Sequence, residues 1–177
     1  MSVVAFDLHF DVSFASPSFD VKFLEDSLSF LCKSHSFSHL FIRFRTCSNL
    51  PSKVRFLWAL SRCYEAVGEI LSKLSVPKVS TIILPDIEGV DQLQKCGISW
   101  IYFARNCTPE ISLLSSSNQM KIQTLPFNDS AISPGIMIYK WVPEYCHSCL
   151  GGTFDHLHFG HKVMLTAACM STKVILS

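Results

Sequence analysis

Cys149 to Lys162 reads Cys-Leu-Gly-Gly-Thr-Phe-Asp-His-Leu-His-Phe-Gly-His-Lys, and its residue types and spacing suit the binding of phosphates. A short apolar, β-prone run precedes the two glycines, and an apolar helical pattern begins about one turn after them. The stretch therefore reads as a strand, a glycine turn and a helix start. Gly151 and Gly152 have no Cβ to hold an anion away from the main chain, and Thr153 adds a hydroxyl to the same turn. His158 and His161 are three apart, which puts both imidazoles on one face of the first helical turn, beside the positive end of the helix dipole. The same window also holds Cys146, His147, Cys149 and His156, a composition that invites a metal. Cys146-x-x-Cys149 is half of a zinc site, but no second pair follows at the usual separation of about a dozen residues, so no metal is assigned.

These residues resemble the nucleotidyltransferase superfamily that carries a Gly-Thr-Phe-Asp turn and a His-x-Gly-His helix start. The run Gly151-Gly152-Thr153-Phe154-Asp155, then His158-Phe159-Gly160-His161-Lys162, is most similar to phosphopantetheine adenylyltransferase in the form found in eukaryotic coenzyme A synthases. Tyr145, His147 and Leu150 fit that form as well. The cytidylyltransferases acting on choline, ethanolamine or glycerol phosphates share Phe-Asp and His-x-Gly-His but usually lack the Gly-Gly-Thr opening, which favours the adenylyl branch.

The resemblance implies attack by the phosphate of 4′-phosphopantetheine on the α-phosphate of ATP, giving dephospho-coenzyme A and pyrophosphate with no covalent enzyme intermediate. Such an enzyme mainly positions two anions and neutralises charge on the transferred group. Carried onto this chain, the family pattern makes His161 the main transition-state stabiliser and His158 a second triphosphate contact. Gly151, Gly152, Thr153 and Phe154 become parts of the nucleotide and substrate seat. Asp155 reads as a structural partner, since its charge repels phosphate and a carboxylate near a helix start accepts backbone N–H groups. No tightly bound cofactor is implied, and any magnesium arrives with ATP.

The rest of the chain narrows the classes of function. With 177 residues, 49% of them hydrophobic, and a mean hydropathy of +0.31, there is ample material for a core. A net charge of +1 gives a nucleic acid or an anionic membrane surface little to attract. No apolar run approaches the roughly 20 residues of a membrane span. Eight cysteines at irregular spacing suggest free thiols in a reducing compartment. Asp7 and Asp11 precede the first lysine or arginine, Lys22, unlike a mitochondrial presequence. A cytoplasmic location is expected, with association with mitochondria as the alternative.

The elements that must position the motif follow from periodicity. Val4, Phe6, Leu8, Phe10, Val12 and Phe14 alternate with polar residues, which predicts a strand with one buried face, ended by Pro17. Ser18 or Asp20 caps a helix with the stripe Val21, Leu24, Leu28 and Leu31. His39 to Phe44 is a second strand. From the cap Ser52, Leu57, Leu60, Tyr64, Val67, Leu71 and Leu74 recur at threes and fours, a long helix that Pro77 closes. Val79 to Leu84 and Ile98 to Phe103 are further strands around a short helix from Pro85-Asp86 to Gly97, and Met120 to Leu125 is one more.

Alternating strands and helices predict an α/β chain: an N-terminal, mostly parallel sheet with flanking helices, followed by the first βαβ part of a Rossmann-like nucleotidyltransferase domain. Residues 1–140 form the N-terminal domain of unknown function, with 105–140 a loop-rich linker region, and 145–177 an incomplete nucleotidyltransferase domain. Arg43, Arg45, Lys53, Arg55 and Arg62 read as a solvated face rather than an anion patch. Trp58, Trp100 and Trp141 read as packing residues.

The family fold runs on for roughly another hundred residues in a domain of ordinary size. These carry further phosphate-gripping cations, so the chain as given is expected to be at most a weak nucleotide binder. One strand, one helix and part of another strand bury too little to fold alone. Residues 145–177 therefore need the second half of their domain, a protein partner or the N-terminal sheet, and are expected to be the least well packed segment. Two other functions stay open: a cytidylyltransferase of the same superfamily, and a non-catalytic truncated or regulatory fragment.

Overall fold

Strand β1 (Ser2–Asp11) is the axis of the larger sheet, paired in parallel with β3 (Phe37–Thr46) on one side and β5 (Trp100–Phe103) on the other. β4 (Ser80–Pro85) lies outside β3 and β6 (Lys121–Thr124) outside β5, giving the order β4-β3-β1-β5-β6. A two-residue strand, β2 (Ser18–Phe19), turns back antiparallel onto the end of β1. The computed structural model describes residues 2–11, 18–46, 52–76, 79–85, 96–107, 120–131, 144–152 and 154–176. The chain steps outward from β1 to β4, then returns past β1 to lay down β5 and β6, which is a Rossmann-like order in an α/β fold. Parallel neighbours require crossovers, and helices α1 (Val21–Ser34) and α2 (Lys53–Lys73) supply the first two.

Both helices start where the sequence places their caps. Asp20 accepts the N–H of Phe23 at 2.8 Å and Ser52 that of Arg55 at 3.3 Å. In α1, Leu24, Leu28 and Leu31 are buried as the stripe predicts, but Val21 is 53% exposed and Phe23 fills the core in that turn. Phe23 meets Phe6 of β1 edge-on at 6.5 Å. In α2, Leu60, Tyr64 and Val67 are buried, and the Tyr64 hydroxyl accepts the N–H of Ile83 from β4 at 2.9 Å. Residues Val12, Phe14, Pro17 and Pro77, the short helix expected after Pro85, Trp141, and most of the 105–140 linker lie outside the described residues.

The alternation in β1 predicts one wet face, and the structure overturns that. Asp7 and His9 are fully buried, because β1 is an inner strand of a parallel sheet covered on both faces. The parallel register sets Asp7 beside Arg43 and His9 beside Arg45. Arg43 grips Asp7 through Nε and Nη2, each 2.6 Å from a different carboxylate oxygen, and Arg45 adds a contact at 3.3 Å. Arg43 and Arg45 are thus not part of a solvated face: they are 2% and 3% exposed. Lys53, Arg55 and Arg62 do lie toward the surface, Lys53 pairing with Glu144 and Arg62 with Glu65.

Asp129 extends the buried network, taking the backbone N–H and the Nδ1 of His9 on one oxygen, each at 2.9 Å. A carboxylate only accepts, so Nδ1 carries a proton. Asn106 brackets the same residue, donating to its carbonyl and accepting its N–H. The neighbouring Ser130 donates its N–H and hydroxyl to Asp20, so one carboxylate both caps α1 and holds the segment after β6.

Burial alone would raise the Asp20 pKa, but hydrogen bonds from the Ser130 hydroxyl and the Phe23 N–H outweigh it and bring the pKa below 3.8. Its stabilising effect is therefore present above the unfolded value and lost as pH falls through the folded one. Asp20→Ala is expected to destabilise by about 1–2 kcal/mol at neutral pH. Urea unfolding at pH 7 and in acid should show that difference shrinking at the lower pH.

After the large sheet comes a second βαβ unit: β7 (Tyr145–Cys149), α3 (Phe159–Ser171) and β8 (Thr172–Leu176). β7 and β8 are parallel neighbours in a sheet of their own, with Tyr145 beside Thr172 and Cys149 beside Leu176. The Glu144 N–H bonds the Ser171 carbonyl at 2.9 Å, tying the start of β7 to the end of α3.

Candidate functional site

The glycine turn leaves β7 exposed to solvent. Among the described residues, a Cβ built on Gly151 meets nothing within 4 Å, and one on Gly152 meets only the Phe154 ring at 3.7 Å. Thr153 lies outside the described residues. Phe154 is half-buried and its ring centroid is 5.0 Å from that of His161, so one aromatic ring joins the glycine turn to the helix start. Asp155 is exposed and makes no hydrogen bond with another described residue, contrary to its expected structural role. His158 is the N-cap residue instead.

His158 caps α3 in position only, because its side chain makes no cap hydrogen bond. The first intrahelical contact is the Lys162 N–H on the His158 carbonyl at 3.2 Å. The N–H groups of Phe159, Gly160 and His161 are the orphan donors that open any helix, and among the described residues no side chain caps them. The rings of His158 and His161 stack over this end, centroids 3.8 Å apart and planes 26° from parallel. Gly160 makes the approach feasible: a Cβ there would lie 3.0 Å from His158 Cε1. His161 Nδ1 is 3.2 Å from the His156 carbonyl, which only accepts, so Nδ1 carries the proton and Nε2 is left for a ligand.

Stacked imidazoles repel when both are protonated, and an anion beside them relieves that repulsion. With uncapped N–H groups, the helix dipole and an open glycine turn alongside, the arrangement can bind a phosphate-like anion through main chain and imidazole together. Gly151, Gly152, Phe154, His158 and His161 thus gather at one place. Cys146 and Cys149 are free, exposed thiols, and no set of three metal-ligating side chains is grouped among the described residues.

The helix that carries the histidines docks onto the N-terminal unit. Phe159 stacks on Tyr64 of α2 at 5.1 Å and 26°, over Gly68, where a Cβ would come within 2.7 Å of the ring. Lys162 reaches the edge strand β4 and donates its ammonium to the Thr81 carbonyl. Burial lowers the Lys162 pKa. Met170 and the half-buried Val163 join the main core. Docking is therefore real but one-sided: within α3 only Ala168 and Met170 are buried, and most of β7 is exposed. Gly68→Leu should push Phe159 away. Hydrogen exchange is expected to show lost protection in α3 with α1 and the inner strands unchanged.

Sequence reasoning did not find two features. Lys162 stands in the sequence as the end of the motif, and its spacing carries no sign that its side chain serves the interface with β4. The other is the Asp7–Arg43–Arg45 network, whose usable signal is Asp7 and His9 in one strand facing Arg43 and Arg45 at the same i, i+2 spacing in another.

Comparison with known proteins places little beside this geometry. An alignment 108 positions long, which takes in 54% of this chain, is 34% identical to the uncharacterized protein C1F12.08 of Schizosaccharomyces pombe and covers 32% of it. The chain thus spans about a third of the length of that relative. No family model and no solved structure matches. No helix among the described residues is long and apolar enough to cross a membrane.

Proposed function

We propose that residues 145–176 are the nucleotide-binding part of an adenylyltransferase that joins ATP and 4′-phosphopantetheine in coenzyme A biosynthesis, acting in the cytoplasm. The observation that carries this reading is the His158–His161 stack over an uncapped helix start, joined through Phe154 to an open glycine turn. A triphosphate is the anion best matched to it, since one phosphate meets the helix N–H groups while others reach the imidazoles and the Gly151–Gly152 main chain.

In the proposed step, a phosphate oxygen of 4′-phosphopantetheine forms a bond to the α-phosphorus of ATP, and the bond from that phosphorus to the β-bridging oxygen breaks. Pyrophosphate leaves with the electron pair, and magnesium accompanies the nucleotide as part of the substrate. His161, its Nδ1–H kept on the His156 carbonyl, donates from Nε2 as an imidazolium, carrying a second proton there, to oxygens whose charge grows as the new bond forms. His158 and the helix-start N–H groups hold the departing phosphates. No side chain needs to form a bond to substrate, so the residues act by position and charge.

Pyrophosphate release from ATP with 4′-phosphopantetheine tests the reading, with CTP in a parallel arm. Release with ATP that depends on His161 supports it. Preference for CTP would move the chain to the cytidylyltransferases, and equal signal from wild type and His161→Ala would leave a non-catalytic fragment.

A further inference from the structure

A cavity of about 380 Å³ lies where α3 meets β4 and α2, away from the glycine turn. Its walls are largely hydrocarbon: Ile82 and Ile83 come from the sheet edge, Tyr64 from α2, and Leu157 and Leu165 from the motif segment. Leu157, 53% exposed, marks its open side. Cavities of this size take small molecules. If each non-hydrogen atom occupies about the 30 Å³ of a liquid water, the space suits on the order of a dozen of them.

Among the described residues, one cation lines this apolar space. Lys162 lies at the wall with its ammonium held by the neutral Thr81 carbonyl and set 5.8 Å from the Phe159 ring centroid. Among the described residues no carboxylate pairs with it. A partly desolvated cation without a counter-ion attracts an anion strongly, more so where hydrocarbon excludes water. Thr166 offers little competition, because its hydroxyl already donates to the Lys162 carbonyl at 2.9 Å.

We propose that this cavity binds a small amphiphilic monocarboxylate, its hydrocarbon chain along Ile82, Leu157 and Leu165 and its acid group on the Lys162 ammonium. The acid takes over the place of the Thr81 carbonyl and turns a charge–dipole contact into an ion pair. A phosphate-only ligand leaves the hydrocarbon walls unfilled, and a purely apolar one leaves the ammonium without a counter-ion. Walls from both units mean that the occupant cross-braces α3 against β4. Leu157 and Lys162 flank His158 and His161 in sequence, so that bracing also steadies the turn that presents the imidazoles. The inference stands on the cavity and its cation and is independent of whether the histidines bind ATP.

Decanoate is the probe, used below its micelle-forming concentration, with decan-1-ol as the uncharged comparator. Cys169 lines the cavity and is an exposed free thiol, while Cys96 and Cys146 are exposed elsewhere, so alkylation read by peptide mass spectrometry has internal controls. Decanoate should slow alkylation of Cys169 and leave Cys96 and Cys146 unchanged, and it should bind the intact wild-type chain at least tenfold more tightly than decan-1-ol. Lys162→Met, which keeps the stem and removes the charge, should weaken decanoate by about tenfold or more and leave the alcohol unaffected. Equal binding of acid and alcohol by wild type, or no protection of Cys169, overturns the proposal even if the variant does not fold.

Discussion

Arg43→Met should lower the unfolding free energy by about 3–5 kcal/mol, because it strands the Asp7 carboxylate inside the sheet. Asp7 is fully buried and takes its two shortest hydrogen bonds, both 2.6 Å, from the Arg43 guanidinium. Arg45, at 3.3 Å and through one nitrogen, is the weaker partner and cannot replace a bidentate grip. Replacing the pair together, as Asp7→Leu with Arg43→Met, should recover much of the loss, since desolvation of two ions nearly cancels their attraction. Urea unfolding of wild type, both single variants and the double variant gives the coupling directly. A loss below about 1 kcal/mol for Arg43→Met would mean that water reaches Asp7 and that the buried network is misplaced.

The second large effect falls on the proposed chemistry. In an adenylyltransferase that also holds the second half of this domain, His161→Ala is expected to cut adenylyl transfer by about 100- to 1000-fold, the usual result of removing one preorganised donor from a developing negative charge. His158→Ala should cost less, because in the proposed step its ring only holds the departing phosphates and supports His161 by stacking at 3.8 Å. Neither change should alter folding much, as His158 is exposed and His161 half-buried at the end of a helix held by Phe159 and Met170. Gly160→Ala offers a milder probe: its Cβ would sit 3.0 Å from His158 and spread the stack, so the rate should fall while helix content holds or rises.

Much of this architecture was legible from residue spacing. The caps Asp20 and Ser52, the stripe Leu24, Leu28 and Leu31, and the strand around His39 to Phe44 follow from local rules, and the structure shows them. Placing His158 and His161 on one face of a helix start needed only a count of three residues. Periodicity could not say which side of β1 meets water, because that depends on neighbours far along the chain. Asp7 and His9 look like a wet face until β3 supplies Arg43 and Arg45 in register and Asp129 arrives from beyond β6. The two-residue β2 is too short to carry a pattern. The cavity beside Lys162 exists only because α3 docks on β4, a contact between segments that the sequence does not link.

Titrating the chain with ATP while following its histidine ring and glycine amide resonances tests the central claim most directly. The signals of His158, His161, Gly151 and Gly152 should move together on one binding curve, with those of His9, His35 and His39 still. Movement confined to other residues, or none at those four while nucleotide binds, would contradict it.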